Sequence, residues 1–485
     1  MFYPSFSKFK FLKNKFRIVP FIQSFSFPAE DGFALFKSIA EQIHPCFFLD
    51  GAASRRSYFP LSPPIKIFTA PSLIQAKKCF ADLQKWMDEH PAPILSRFFP
   101  EFLGGAVGTV SYDCGRIFES GWKSNPASDP LKFPFLFFGI YHDLICLDSK
   151  TKRAFVISCL DVEKIKNKSS VEIYQEQKNK LMGFLNQIKS KKLIDCRASD
   201  SLNVRYPLFT KKSNYIQQVK KIKKYIAQGD VYQVNLSQRF SVNLKGLSLD
   251  FYERLRSINP SPYSCYFDLP DFEVMSCSPE LLLKKRGLKI ESRPIAGTRP
   301  RGKNKSEDSI LEDRLMFSEK ERAEHIMLVD LERNDLGKVC VAGSVRVTQN
   351  SVVEKYSHVM HIVSHVIGIL KSKENFFTAL QSVFPGGTIT GCPKVRCMQI
   401  IDEMESVARG PFYGSAGWIA FSGDGEFNLL IRTAIRKSVK GKNNAPIYFQ
   451  TGSGIVSDSI SELEYQESLY KAEALLKALG INLTK

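Results

Sequence analysis

YSCYFDLPDFEVMSCSPELLLKKRGLKIESRP, residues 263–294, decides the fold class. Apolar and polar side chains alternate with the period of two expected of strands, and the run is broken by a turn after Leu269 and another around Arg286 and Gly287. It reads as an antiparallel meander. Upstream, SNYIQQVKKIKKYIAQGD (213–230) is an amphipathic helix closed by Gly229 that passes directly into the strand VYQVNLSQRFSV (231–242). Downstream the pattern predicts a long helix at about 309–333, strands near 343–370, a helix after Gly391, strands at 412–438 and 446–451, and a last helix. Strands grouped with strands and helices layered outside predict an α+β fold, a large antiparallel β-sandwich with helices packed on its outer side.

Toward the N-terminus, residues 31–160 alternate short apolar segments with Gly and Pro punctuation (CFFLDG, KIFTAPS, LGGAVGTVSYD, FPFLFFGIYHDLICLD), which reads as mostly strand with helices near 70–90. A helix rich in lysine and glutamine (172–192) and the polar stretch DCRASDSLN (195–203) follow, placing a boundary near residue 200. The expected division is a basic, aromatic extension at 1–30, an N-terminal domain at 31–200 and a second domain at 205–485.

The chain has 485 residues, 44% of them hydrophobic and 24% charged, as in a water-soluble globular protein, and no apolar run approaches the roughly 18 residues needed to span a bilayer. Membrane insertion is not expected. Eleven scattered cysteines without a CxxC pair predict reduced thiols in a cytoplasmic protein. The formal charge of +19 raises nucleic acid as a partner, but the basic residues are spread along the chain, and only MFYPSFSKFKFLKNKFRIVP concentrates them. No nucleic-acid partner is expected. That N-terminal stretch also lacks the apolar core and cleavage site of a secretory signal.

The chemistry concentrates in ERAEHIMLVDLERND, residues 321–335, where Glu321, Glu324, His325 and Asp330 interrupt a run that otherwise reads as a helix packed on most sides. Their charges require a metal cation, an arginine or a charged substrate. A second acidic helix, SELEYQESLYKAEALL, repeats the spacing with Glu464, Glu467 and Lys471. Two facing carboxylate pairs would suit a hard divalent ion, and magnesium fits best because it needs few protein oxygens. The alternative is two solvated helix faces. Glycine-rich turns at PIAGTRPRG (294–302), FPGGTITGCPKVR (384–396) and TGSGIV (451–456) could cradle an anion. Arg432, in NLLIRTAIR, would share a strand face with Leu430 and Ala434, where it either meets a carboxylate or reaches water. His358, His361 and His365 form a local cluster. No nucleophilic triad is present, so the inventory points to metal-assisted acid–base chemistry on a small dianion.

In order, SCSPE, PIAGTRPRG, AEHIMLVDLERNDLG, SHVMHIVSHV, FPGGTITGCPKVRCMQII, NLLIRTAIR, TGSGIVSDS and EYQES resemble the motifs of the chorismate-utilising enzymes over residues 210–480. Residues 31–150 are similar to the N-terminal domain of its anthranilate and aminodeoxychorismate branches. The resemblance implies that Glu324 and Glu467 bind Mg2+ with Glu321 and Glu464 nearby, and that Glu280 is a general acid. It also implies that His361, Thr388, Arg432 and the amides around Gly452 and Gly454 hold chorismate, with Lys471 beside the metal carboxylates.

Members of this family that use water carry a lysine base where this chain has Gln233, so the resemblance implies ammonia as nucleophile, supplied by a separate glutamine amidotransferase subunit. Ala296 stands where many aminodeoxychorismate enzymes have a lysine nucleophile, and is the anthranilate-type residue. The wording of YQVNLSQRF, FPGGTITG and NLLIRT, with Asn428, is closer to aminodeoxychorismate synthase component I. FFLDGAASRRSYF also lacks the element with which regulated anthranilate enzymes bind tryptophan. The expected activity is therefore amination to 4-amino-4-deoxychorismate for p-aminobenzoate and folate, with anthranilate formation as the alternative. Phe412 occupies a position where the family usually has tyrosine.

Overall fold

The computed structural model describes residues 1–27, 32–51, 56–124, 127–165, 167–191, 211–355, 359–438 and 444–481. His358, the stretch 195–203 and residues 52–55 of the FFLDGAASRRSYF segment lie outside them. Two large antiparallel sheets, of twelve and ten strands, make up the molecule, and helices cover the outside. Residue alternation sorts side chains between two cores: Ile18, Phe47 and Phe267 point into the space between the sheets, whereas Val19, Phe48 and Tyr266 point to the helix-covered side. The α+β sandwich expected from the meander is the observed fold.

Both sheets draw on both halves of the chain. Strand Cys46–Asp50 pairs with Tyr263–Asp268, and Gly105–Val110 pairs with Ser415–Ala420. The first residues are also built in: Ile18–Ser26 pairs with Arg153–Asp161, and Phe9, Leu12 and Phe21 are buried. In space, then, the three segments distinguished in the sequence share their sheets.

Three expectations about strands and helices require correction. The meander at 263–294 is not one sheet. Phe272–Ser278 belongs to the twelve-stranded sheet and Leu281–Arg286 to the ten-stranded one, so the chain crosses between layers at 279–280. NLLIRTAIR is likewise not one strand: Gly425–Leu429 ends in the ten-stranded sheet, and Thr433–Lys437 resumes in the other. The crossings run side by side, tied by Leu429 N donating to Glu280 O at 3.1 Å and Cys277 N donating to Arg432 O at 3.2 Å. Periodicity could not show either crossing, because the strands on both sides of each bury the same kinds of side chain. The long helix also divides, into Lys305–Met316 and Glu319–Val339, where Ser318 caps the second by accepting from Glu321 N.

Candidate active site

Glu280 and Arg432 stand on the two crossings, so both side chains enter the same corner between the sheets. Glu280 is 5% exposed, and its Oε1 accepts from Ile295 N at 3.4 Å. Burial, reinforced by the charge of Glu332, pushes its pKa up to about 8, against the influence of Thr388, the Ile295 amide and Lys471. At neutral pH it carries a proton. The Thr388 hydroxyl lies beside it, buried and without a well-aligned hydrogen-bond partner among the described residues.

Arg432 adopts φ +50, a left-handed backbone conformation that a non-glycine residue holds only under constraint from its surroundings. Its NH1 donates to Asn259 Oδ1 and its NH2 to His361 Nε2, both at 3.2 Å. His361 is buried, and its Nδ1 donates to Gly297 O at 3.1 Å. Burial, then the Arg432 charge, lowers the histidine pKa to about 3. The ring is therefore neutral, a fixed prop for the guanidinium. Of the two described histidines of the cluster, His365 does not join His361 but turns to Thr348 and to Glu291, whose Oε2 is 3.2 Å from its Nε2.

The acidic groups of the Glu319–Val339 helix line the site's rim. The helix is amphipathic rather than packed on most sides: His325, Leu328, Val329 and Glu332 are buried, while Ile326 is half exposed and Asp330 pairs with Arg333 at the surface. Buried His325 is neutral and bonds Ser364 Oγ at 2.6 Å. Glu324 Oε1 accepts from Gln233 Nε2 at 2.8 Å. Burial, then the neighbouring charge of Glu321, pushes Glu324 up to about 7, with Lys471 opposing and Glu467 adding to the rise. Glu321 Oε1 meets Arg299 at 3.2 Å.

From the Ser461–Ala478 helix, Lys471 Nζ contacts Glu467 at 2.8 Å and donates to Gly452 O at 3.1 Å. Burial alone would depress the lysine pKa, but Glu467, Glu324 and Glu464 outweigh it and raise it. Glu464 points inward, where its Oε1 accepts from Ser459 Oγ at 2.6 Å. Glu324, Glu321, Glu467 and Lys471 are thus within electrostatic reach of one another, while Glu464 sits behind them.

Strand Asn444–Ile455 carries Gly452 and Gly454 past this group. A Cβ on Gly454 would lie 2.3 Å from Gln233 Nε2 and 3.1 Å from Glu324 Oε1, so only glycine leaves the strand this close to both. Gly452 pairs with Ser237 and presents its carbonyl to Lys471. Ala296, 6% exposed in strand Ile295–Pro300, puts no nucleophile in the corner. Phe412 is buried with Arg239 over its ring at 5.0 Å.

One buried group was missed. Glu332 accepts from Ser292 Oγ at 2.9 Å and from the Gly387 amide; burial, then Asp335, pushes its pKa up to about 7. Asp335 is itself bonded to buried Lys394 and, at 2.9 Å, to Lys338. All three lie in quoted motifs, and Glu332 and Asp335, four and seven residues beyond buried Leu328, share its helical phase, whereas Lys394 comes from the separate helix Lys394–Met404.

Among the described residues no group of three or more His, Cys, Asp and Glu side chains comes together as a metal cluster. Magnesium needs only one or two protein carboxylates, completing its shell with water and substrate oxygens. The hard oxygens of Glu324 and Glu467, the burial opposing the Glu324 charge, and the cradle at Gly454 fit such an ion.

Residues 44–477 match the family described as chorismate binding enzyme. The chain is 42% identical over 385 residues to aminodeoxychorismate synthase component 1 of Bacillus subtilis (strain 168), covering 79% of this chain and 78% of that protein. It is also 42% identical over 390 residues to anthranilate synthase component 1 of Aquifex aeolicus (strain VF5), covering 79% and 75%. The crystal structure of anthranilate synthase component I from Streptococcus pneumoniae TIGR4 aligns with a TM-score of 0.73 at 30% identity, over 88% of this chain and 93% of that one.

Proposed function

The chain belongs to the chorismate-binding enzyme family, and from that premise we propose that it aminates chorismate at ring carbon 4, forming 4-amino-4-deoxychorismate with ammonia from a separate glutamine amidotransferase subunit. The observation that carries amination is Gln233. It occupies the position of the lysine base in water-using members, and its amide, which cannot act as a base, is committed to Glu324. A separate ammonia source is supported by the thiols: burial raises the pKa of Cys265, Cys277 and Cys397, the opposite of what a glutamine-cleaving thiolate needs.

The chain's residues divide the work. Arg432, propped by His361, and Lys471 bind substrate carboxylates. Protonated Glu280 gives its proton to the departing ring hydroxyl, which leaves as water. The water-excluded corner strengthens each of these interactions and holds reactants in line. Magnesium, held by Glu324 and Glu467 with Glu321 beside them, would supply positive charge against the ring carboxylate.

Carbon 4 is supported by the wording of YQVNLSQRF and NLLIRT, and by Asp50, in the segment where regulated anthranilate enzymes bind tryptophan. Here Asp50 is buried and paired with Arg256 at 2.5 Å. The second reading, anthranilate synthesis, is favoured by Ala296, since direct attack at carbon 2 needs no enzyme nucleophile. Product analysis decides. The chain incubated with chorismate, Mg2+ and an ammonium salt should yield an aminochorismate that an added lyase converts to p-aminobenzoate. Fluorescent anthranilate with released pyruvate would establish the second reading instead.

A further inference from the structure

Gln233 and Asn235 are alternate residues of strand Gln233–Lys245 and share one face of it. They are 1% and 8% exposed. Each amide nitrogen is committed: Gln233 Nε2 to Glu324 Oε1 at 2.8 Å, and Asn235 Nδ2 to the Thr388 carbonyl at 3.4 Å. Those bonds determine which end of each amide is oxygen. Gln233 Oε1 and Asn235 Oδ1 are both buried and have no hydrogen-bond partner among the described residues. Proteins rarely leave such acceptors unmatched, because each loses its water without replacement.

What completes this pair must be a small donor. Bare oxygens repel carboxylates, and the substrate's acidic groups have Arg432 and Lys471 to meet them. Alternate positions lie about 6.6 Å apart along a strand, whereas a single nitrogen donating at about 2.9 Å to each side meets oxygens about 4.7 Å apart, so the longer Gln233 side chain has to lean along the strand by about 2 Å toward Asn235 for one nitrogen to meet both. Neutral amide oxygens have a further property. A carboxylate in their place would favour ammonium, which has no lone pair, whereas an amide oxygen accepts an N–H without drawing a proton onto the nitrogen.

We infer that Gln233 Oε1 and Asn235 Oδ1 form the receptor for ammonia, each accepting one N–H so that the lone pair faces the ring, with Asn235 as the part of it that no other role explains. This rests on the amination reading. Asn235→Leu removes the acceptor at similar volume, and Asn235→Asp keeps an oxygen there; both lose the donor to Thr388. With ammonium chloride as nitrogen source, Asn235→Leu should raise the KM for ammonium about tenfold, the scale of one hydrogen bond, with the KM for chorismate within about twofold of wild type. Asn235→Asp should keep the ammonium KM near wild type while kcat falls. If both variants instead raise only the chorismate KM, Asn235 merely tethers Thr388 and the inference is overturned. It is equally overturned if Asn235→Leu leaves the ammonium KM unchanged. A wild-type chain that forms no aminated product would overturn the amination reading itself, an outcome seen before any variant is made.

Discussion

One helix, Glu319–Val339, treats its acidic residues in two ways. Toward its C-terminal end Asp335 is buried, yet the chain supplies Lys394 and Lys338 as its counter-ions. Three turns earlier Glu324 is held by a neutral amide, and the nearest ammonium, Lys471, is already engaged by Glu467 and Gly452 O. A structural charge comes with its own cation, and a functional charge is left for one that arrives from outside. Burial pushes Glu324 up toward neutral pH, and it does the same to Glu332, which has only hydrogen-bond donors in contact.

The largest effect should fall on the open end. Glu324→Gln removes the charge without the shape, and turnover should drop by about 10³-fold or more, the scale of a lost metal contact, while the melting temperature holds; steady-state kinetics beside thermal unfolding would show it. Undiminished activity would erase the contrast. Glu280→Gln should lower kcat by about 10² to 10⁴, the range for a general acid. In the wild type, the active form is protonated Glu280, so activity should fall as pH rises through about 8, a limb that Glu280→Gln abolishes.

At the closed end the damage should be to stability. Lys394→Met takes the buried counter-ion from Asp335, leaving only half-exposed Lys338, and should cost up to about 3–5 kcal/mol, read by urea unfolding. Glu332 sharpens the comparison. Its folded pKa of about 7 exceeds the ordinary 4.5, so its contribution is intact below pH 4.5 and is lost as pH rises toward 7. Glu332→Gln should flatten that part of the stability profile. The smallest effect is expected at Ser459→Ala, which takes one hydrogen bond from Glu464 and should cost about 1 kcal/mol, with little change in kcat.

Much of this was legible in the residues. Alternation in 263–294 was enough for antiparallel strands, and the fold buries both of their faces, Phe267 toward one core and Tyr266 toward the other. The spacing of Glu321, Glu324, Glu467 and Lys471 placed them on helix faces that do meet. What alternation could not reveal was the passage between sheets at Glu280 and Arg432, because both layers bury the same kinds of side chain. Arg432 consequently reads as a strand residue, whereas the fold holds it at φ +50 against His361. Glu464 shows the other limit: its helical phase matches Glu467, but Ser459, in the preceding turn, turns it inward. Glu332 and Asp335 lay within a recognised motif, and their burial required knowing which side of the helix faced Ser292 and Lys394.

The contrast between the two ends is tested most directly by titrating Mg2+ calorimetrically into the chorismate-loaded protein without ammonium, for wild type, Glu324→Gln and Asp335→Asn. Saturable binding in wild type that survives in Asp335→Asn and disappears in Glu324→Gln is the predicted result. Equal binding by wild type and Glu324→Gln would mean that the uncompensated carboxylate is not the cation's seat.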